Sequence, residues 1–258
     1  MLEFDAATRR ILDRSYAGSD VVRRRLENFR ALDPKPGERV LDLGCGSGFL
    51  TAEIARAVGD AGHVLGVDPS PDMRAGAEEN CAGFGKVQIA AGDAGAIPAE
   101  DGAFDKIVSL QVFEYLDDVP TALAEVSRVL RPGGRLVVGD WHWDCFAWHS
   151  ADPSRMARMM ASWDEHLAER CVPALLPALM SHAGFAFGES RAVPFTDTCL
   201  RADGMANMML HLMAGYARQN GHLPETEIAA WKAEQEELAR AGRFFFSLTH
   251  FVTVAHKA

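Results

Sequence analysis

The hydrophobic and polar positions change period several times along the chain, and each change marks an element. Over residues 5–32, Ile11, Leu12, Val21, Val22, Leu26, Phe29 and Leu32 recur at helical spacing and predict one or two amphipathic helices. Asp33-Pro34-Lys35-Pro36-Gly37 stops them. Short apolar runs then alternate with helical stretches. Arg39–Leu43 reads as a strand, a glycine-rich turn over 44–48 follows, and 49–58 reads as a helix. Residues 63–67 form the next strand, closed by Asp68-Pro69, with Ser70 placed to cap a helix over 71–82. Val87–Ala91 and Phe104–Leu110 are strands separated by the loop 92–102. A helix over 121–130 ends at Arg131-Pro132-Gly133-Gly134, and 135–139 is a fifth strand.

The C-terminal half is less regular. Residues 153–183 look helical, interrupted by Pro173 and Pro177, and 185–195 alternates like a strand. Residues 201–219 and 225–241 look helical, and 244–255 is a final strand. Residues 199–242 therefore read as a helical cap inserted between the last two strands, where it can roof a pocket. Strands alternating with helices of this length predict an α/β fold, a doubly wound and mostly parallel sheet with helices on both faces. In such sheets the ligand lies beyond the carboxyl ends of the strands, where strand order reverses.

Composition narrows the class. The 258 residues carry 48% hydrophobic and 24% charged positions, enough for one large core, so 1–258 is expected to be a single domain. The net charge is −10 and no run of Lys and Arg is long enough to follow a phosphate backbone, which argues against nucleic acid. Arg23-Arg24-Arg25, the densest basic stretch, reads as a solvated helix face. Five scattered cysteines (45, 81, 145, 171, 199) suit a reducing compartment. The N-terminal residues lack the base and the apolar stretch of a signal peptide, and no apolar run could span a membrane. A cytoplasmic protein with a small-molecule substrate is expected, and a homodimer is compatible with the sequence.

The chemistry concentrates at strand ends. Val40-Leu41-Asp42-Leu43-Gly44-Cys45-Gly46-Ser47-Gly48 is a glycine turn between strand and helix, which lets a ligand approach the backbone and offers amide donors. Phe49 occupies the third glycine position of the dinucleotide fingerprint, and no Gly-Lys-Ser/Thr of a P-loop follows. Asp68 ends the second strand, where a carboxylate can accept both hydroxyls of a ribose. Asp93, after the third, can accept from an exocyclic amine. Together they suit an adenosine without pyrophosphate.

Residues 36–140 resemble the class I S-adenosylmethionine-dependent methyltransferases, in the branch similar to the ubiquinone/menaquinone C-methyltransferases. The matching stretches run from Pro36 to Gly48, from Gly66 to Met73, over Gly92-Asp93-Ala94, from Phe104 to Ser109 and from Val129 to Leu136. The resemblance implies a Rossmann-like, seven-stranded sheet with the last strand antiparallel. It implies a cofactor-binding core over 36–140, preceded by N-terminal helices over 1–32, with S-adenosyl-L-methionine as methyl donor. Gly44, Cys45 and Gly46, with Asp42, would line the methionine part. Asp68 and Pro69 would hold the ribose, Met73 would pack on the adenine, and Asp93 with Ala94 would read its edge. Leu110 or Gln111 would meet the amino group, and Tyr16 would close over the cofactor. The family often has Glu-His after the fourth strand, and here it is Glu114-Tyr115.

With that histidine missing, His142, two residues beyond the fifth strand, is the candidate catalytic base; its alternative is a loop histidine with a structural bond. His250, within the final strand, reads as structural. His142, Cys145 and His149 do not make up a regular zinc set, so no metal is expected. Trp141, Trp143, Phe146 and Trp148 could wall a flat, apolar substrate or pack the cap on the core. Met205, Met208, Met209 and Met213 fall on one helix, as core or as pocket. The leading function is methyl transfer to a small molecule at oxygen, nitrogen, carbon or sulfur. A non-catalytic S-adenosylmethionine-binding module and a nicotinamide-dependent oxidoreductase are the alternatives.

Overall fold

The computed structural model describes residues 18–258. The N-terminal helical pattern is represented there by α1 (Ser19–Leu32), and Tyr16 lies outside the described residues. Then come β1 (Arg39–Leu43), α2 (Phe49–Val58), β2 (His63–Asp68), α3 (Pro71–Cys81), β3 (Val87–Ala91), β4 (Phe104–Leu110), α4 (Val119–Val129) and β5 (Leu130–Trp141). The second half holds β6 (Ala147–Trp148), α5 (Pro153–Asp164), α6 (Val172–His182), β7 (Phe185–Asp197), α7 (Met205–Gln219), α8 (Glu225–Arg240) and β8 (Phe246–Lys257).

The sheet runs in the order β3-β2-β1-β4-β5-β8, with β7 on the far edge of β8. Strands β1 to β5 pair in parallel, and β8 is antiparallel to both β5 and β7. The eighth strand, β6, is only two residues long and continues along the edge of β8 where β5 leaves it, after the pair Trp141↔His250. Strand order reverses between β1 and β4, which opens a crevice at their carboxyl ends.

Period-two alternation divides the core. Val40, Val64, Val108 and Val137 face one layer, made with α1, α2, α5, α7 and α8, while Leu41, Leu65, Ile107 and Leu136 face the other, made with α4 and α6. The local sequence sets the helix starts. The Ser70 hydroxyl accepts from Met73 N at 3.3 Å, and Asp118 and Asp152 accept from Thr121 N and Arg155 N at 2.9 and 3.0 Å. A proline occupies the first turn of each of these helices, where its missing N–H costs nothing.

Two expected boundaries move. The helical stretch 153–183 breaks at 165–171 and not at its prolines, because Pro173 sits in the first turn of α6 and Pro177 is carried inside that helix. Strand β5 begins at Leu130, earlier than the Pro-Gly-Gly stretch suggested. Helices α7 and α8 do lie between β7 and β8, and α7 packs on α5, so residues before 185 share that layer. No helix among the described residues is long and apolar enough to cross a membrane.

Candidate functional site

A cavity of about 310 Å³ lies beyond β1, β2, β4 and β5, and two kinds of wall meet in it. One is the glycine turn. Gly44, Gly46 and Gly48 have φ of 73°, 52° and 77°, the left-handed region that glycine enters without strain. A Cβ on Gly44 would come within 2.2 Å of Val112 Cγ2, while one on Gly46 would meet nothing within 4 Å. The glycine amides of the turn do not stay free for a ligand, as the sequence had suggested. Gly44 N and Cys45 N donate to Val67 O at 2.7 and 3.0 Å, Gly46 N donates to Asp68 Oδ2 at 2.9 Å and Gly48 N donates to Cys45 O at 2.9 Å. The glycines therefore act through close approach.

Two buried carboxyls flank this turn. Asp68 accepts from Gly46 N and, through Oδ1, from Ser70 N at 2.9 Å; burial raises its pKa and these amides hold the rise in check. Each of its oxygens keeps a second lone pair for a ligand hydroxyl. Asp42 is 1% exposed, accepts from Thr51 Oγ1 at 2.6 Å, and is pushed up to about 7 by desolvation. Met73 is buried against the turn, with its Sδ 3.7 Å from Ser47 Oγ.

The opposite wall is aromatic and apolar: Trp141, Trp143, Trp163, Tyr115 and Leu116, closed by Met208, Met209 and Leu212 of α7. Trp141 and Trp143 face the cavity because the chain is extended through His142 (φ −103°, ψ 98°), so alternate side chains share a face. This geometry corrects the reading of His142 as a base. Its ring is turned away, packed 5.9 Å from Phe251, and it is not among the residues lining the cavity. There it groups with Asp144 and Cys171, whose thiol donates to Asp144 Oδ2 at 3.1 Å, instead of with Cys145 and His149. Phe146 and Trp148 pack on Phe246 and Trp231, so the aromatic segment serves both the cavity and the core.

Between the walls runs a buried polar string that the sequence did not announce. Arg24 is 4% exposed and not on a solvated face; its Nη1 donates to Gln111 Oε1 at 2.5 Å and its guanidinium lies 5.2 Å from the centre of Trp141. Gln111 stands at φ 60°, uncommon for a residue with a side chain and a mark of constraint at the end of β4. Its Nε2 donates to Glu114 Oε1 at 3.0 Å and to the Tyr115 hydroxyl at 3.3 Å, and Trp143 Nε1 donates to Glu114 Oε2 at 3.0 Å. Glu114 and Asp140 are fully buried, and burial raises the pKa of both. Below, His250 takes a 2.9 Å bond from Asn28 Nδ2 and is held well below the usual histidine range by desolvation.

The structure thus gathers Asp42, Gly44, Cys45, Gly46, Asp68, Pro69, Met73, Leu110 and Gln111 at one cavity. Asp93 and Ala94 follow β3 outside its lining; Asp93 Oδ1 accepts from Gly95 N at 2.8 Å. Sequence reasoning missed Arg24. The helical phase of α1, with Val21, Arg24, Asn28 and Leu32 buried three or four positions apart, was the available signal.

Comparison with known proteins gives the class. Residues 41–138 match the family model described as a methyltransferase domain. A 37.1 kDa protein of transposon TN4556 from Streptomyces fradiae is 35% identical over 232 residues, covering 87% of this chain and 64% of that protein. The ubiquinone/menaquinone biosynthesis C-methyltransferase UbiE of Teredinibacter turnerae is 43% identical over 107 residues, 40% of this chain and 43% of the relative. The chain therefore spans less than two thirds of the length of these relatives. Among solved structures, a SAM-dependent methyltransferase from Aquifex aeolicus superposes with a TM-score of 0.57 at 18% identity, covering 96% of this chain and 99% of that one, a likeness of fold.

Residues 41–138 are therefore a methyltransferase domain of the class I S-adenosylmethionine-dependent kind. S-adenosylmethionine is its cofactor, and the cavity's donor set suits that molecule: two buried carboxyls, a guanidinium, and open space at Gly46.

Proposed function

We propose that the chain transfers the methyl group of S-adenosylmethionine to a small, flat, largely apolar acceptor bound against Trp141, Trp143 and Trp163. The observation that carries this reading is the continuity of one cavity from the acid-flanked glycine turn to the aromatic wall. Asp68 would accept the ribose hydroxyls and Met73 would pack on the adenine, with Asp93 and Ala94 reading the adenine edge. Gly44, Cys45 and Gly46 would run beside the methionine chain, with Asp42 and the Leu110–Gln111 step taking its ammonium. Arg24, the buried cation of the cavity, would take its carboxylate, with Arg25 beside it held by Glu53 at 2.9 Å. Helix α7 would roof the acceptor, so the cap role of 199–242 rests on Met208, Met209 and Leu212.

The cofactor supplies an electrophilic methyl on a sulfonium. The chain's own contribution is alignment and dryness: transfer to a nucleophile held in line consumes charge, so a water-poor wall favours it. Indole and thioether side chains line the acceptor end, and the backbone at Gly44–Gly46 allows the close approach that alignment requires.

The test has two stages. Calorimetry should show stoichiometric binding of S-adenosylhomocysteine and none of nicotinamide dinucleotides. Tritiated-methyl cofactor incubated with a panel of aromatic phenols, thiols and amines should then label a small organic product. Tight cofactor binding without label in any small molecule would favour a binding module instead.

A further inference from the structure

Glu114 is the least expected group in the molecule. It is 0% exposed, and among the described residues no lysine, arginine or histidine makes an ion pair with it. A buried carboxylate in that position costs several kcal/mol unless donors surround it. Its donors include Gln111 and Trp143, with the Tyr115 hydroxyl beside them, and all three belong to the cavity wall. Gln111 reaches Glu114 Oε1 and the Tyr115 hydroxyl from a single nitrogen, so phenol and carboxylate are held side by side, with Tyr115 on the cavity and Glu114 behind it. A second fully buried acid, Asp140, lies against the first, with the amides of Phe113 and Glu114 beside its carboxyl.

We propose that Tyr115 and Glu114 form a relay that receives the acceptor's proton, and that the acceptor is therefore a phenol. This rests on the function proposed above. In the step, the acceptor oxygen forms its bond to the methyl carbon as the sulfonium–methyl bond breaks, and the electron pair of that bond stays on sulfur. The phenolic proton passes to Tyr115 Oη, whose own proton passes to Glu114. A positive sulfonium and a negative carboxylate become a neutral thioether and a neutral acid, so the charge balances and an ion pair is consumed inside a dry cavity. The proton returns to water after product leaves.

The surrounding groups support that direction. Desolvation and the neighbouring Glu114 raise the pKa of Asp140 well above the usual carboxylate range, while the amides of Phe113 and Glu114 pull the other way. Arg24, from α1, favours the charged form of Glu114 and faces it across Gln111. His166, whose ring is 5.8 Å from Tyr115, is held neutral at about 4 by burial. Burial raises the proton affinity of Glu114, and Gln111 holds it beside the Tyr115 hydroxyl. A phenol, ionising near pH 10, lies closer to such a base than an aliphatic alcohol does.

The experiment uses β-naphthol, protonated at neutral pH, and para-nitrophenol, ionised in mild alkali, as probes with the full chain. Single-turnover transfer to β-naphthol near neutrality should fall by about 10²–10⁴ in Tyr115→Phe and Glu114→Gln. Transfer to para-nitrophenol in mild alkali should fall less than tenfold, since no proton remains to be taken. Affinity for S-adenosylhomocysteine should stay within threefold. Tyr115→His should recover part of the loss with a pH limb near histidine's ordinary range. Equal losses on both phenols would mark a structural role and overturn the relay, as would no loss on either. Failure of the wild type to methylate both probes while binding S-adenosylhomocysteine would overturn the phenol assignment alone. Failure to bind S-adenosylhomocysteine would overturn the function beneath it. If Glu114→Gln does not fold, Tyr115→Phe decides, because Tyr115 is only half-buried.

Discussion

Replacing Arg24 by alanine isolates the methionine end of the cofactor site. The guanidinium is buried to 4% exposure, bonds Gln111 at 2.5 Å and stacks on Trp141 at 5.2 Å. If it receives the cofactor carboxylate, its removal deletes a charge-assisted bond worth about 1.5–3 kcal/mol. At about 1.4 kcal/mol per tenfold, affinity for S-adenosylhomocysteine should fall by about 10- to 100-fold in calorimetry. Methylthioadenosine keeps the nucleoside and the sulfur but has no carboxylate, so its affinity should change less than threefold. Comparing the two ligands separates a lost contact from a collapsed cavity, because collapse weakens both. The variant also loses the stacking on Trp141, about 0.5–2 kcal/mol, so a few degrees of lower melting temperature are expected. Equal weakening of the two ligands, or none, would refute the assignment.

Gly44→Ala places a methyl 2.2 Å from Val112 Cγ2 on a backbone at φ 73°, so the fold should lose about 2–5 kcal/mol in urea denaturation. Adding Val112→Ala should restore only the overpacking part, and full restoration would show that the left-handed backbone is not strained. Asp42 titrates at about 7 in the fold against 3.8 unfolded, so the native state holds a proton that the unfolded chain releases between those values. Asp42→Asn should therefore grow more stable relative to the wild type as pH rises through that window, and parallel stability curves would contradict the burial effect. Leu212→Trp should fill the acceptor half of the cavity, lowering transfer at least tenfold with S-adenosylhomocysteine affinity unchanged; a matching loss of affinity would place Leu212 on the cofactor. Excising residues 199–242 is not the equivalent test, because Met205, Met209 and Trp231 there are core residues exposed by 3% or less.

The cofactor half of the molecule was legible because its signals are local. A strand, a glycine turn and an acid at the next strand end are written in consecutive residues, and their period changes from two to about 3.6 within each unit. The Ser70 cap and the boundaries of β1, α2 and β4 follow from the same short-range rules. The acceptor half was not legible, because it is assembled from distant segments: Tyr115, Trp143, Trp163 and Leu212 meet only in the folded chain. Local rules also misplaced two features. A triple arginine looks solvated until helical phase turns its middle member inward, and His142 follows a strand end but alternation turns it away from Trp141 and Trp143. The Glu114–Asp140 pair could not be foreseen, since nothing local marks an acid as buried.

In the function proposed above, one cavity brings S-adenosylmethionine and a small acceptor together. The most direct measurement is transfer of tritium from methyl-labelled S-adenosylmethionine, with S-adenosylhomocysteine quantified in the same reaction, for the wild type and Asp68→Asn. Labelled small organic product is expected in equal amount to S-adenosylhomocysteine, with a large loss of both at limiting cofactor in Asp68→Asn. Label confined to protein or nucleic acid, or product formation unaffected by Asp68→Asn, would contradict it.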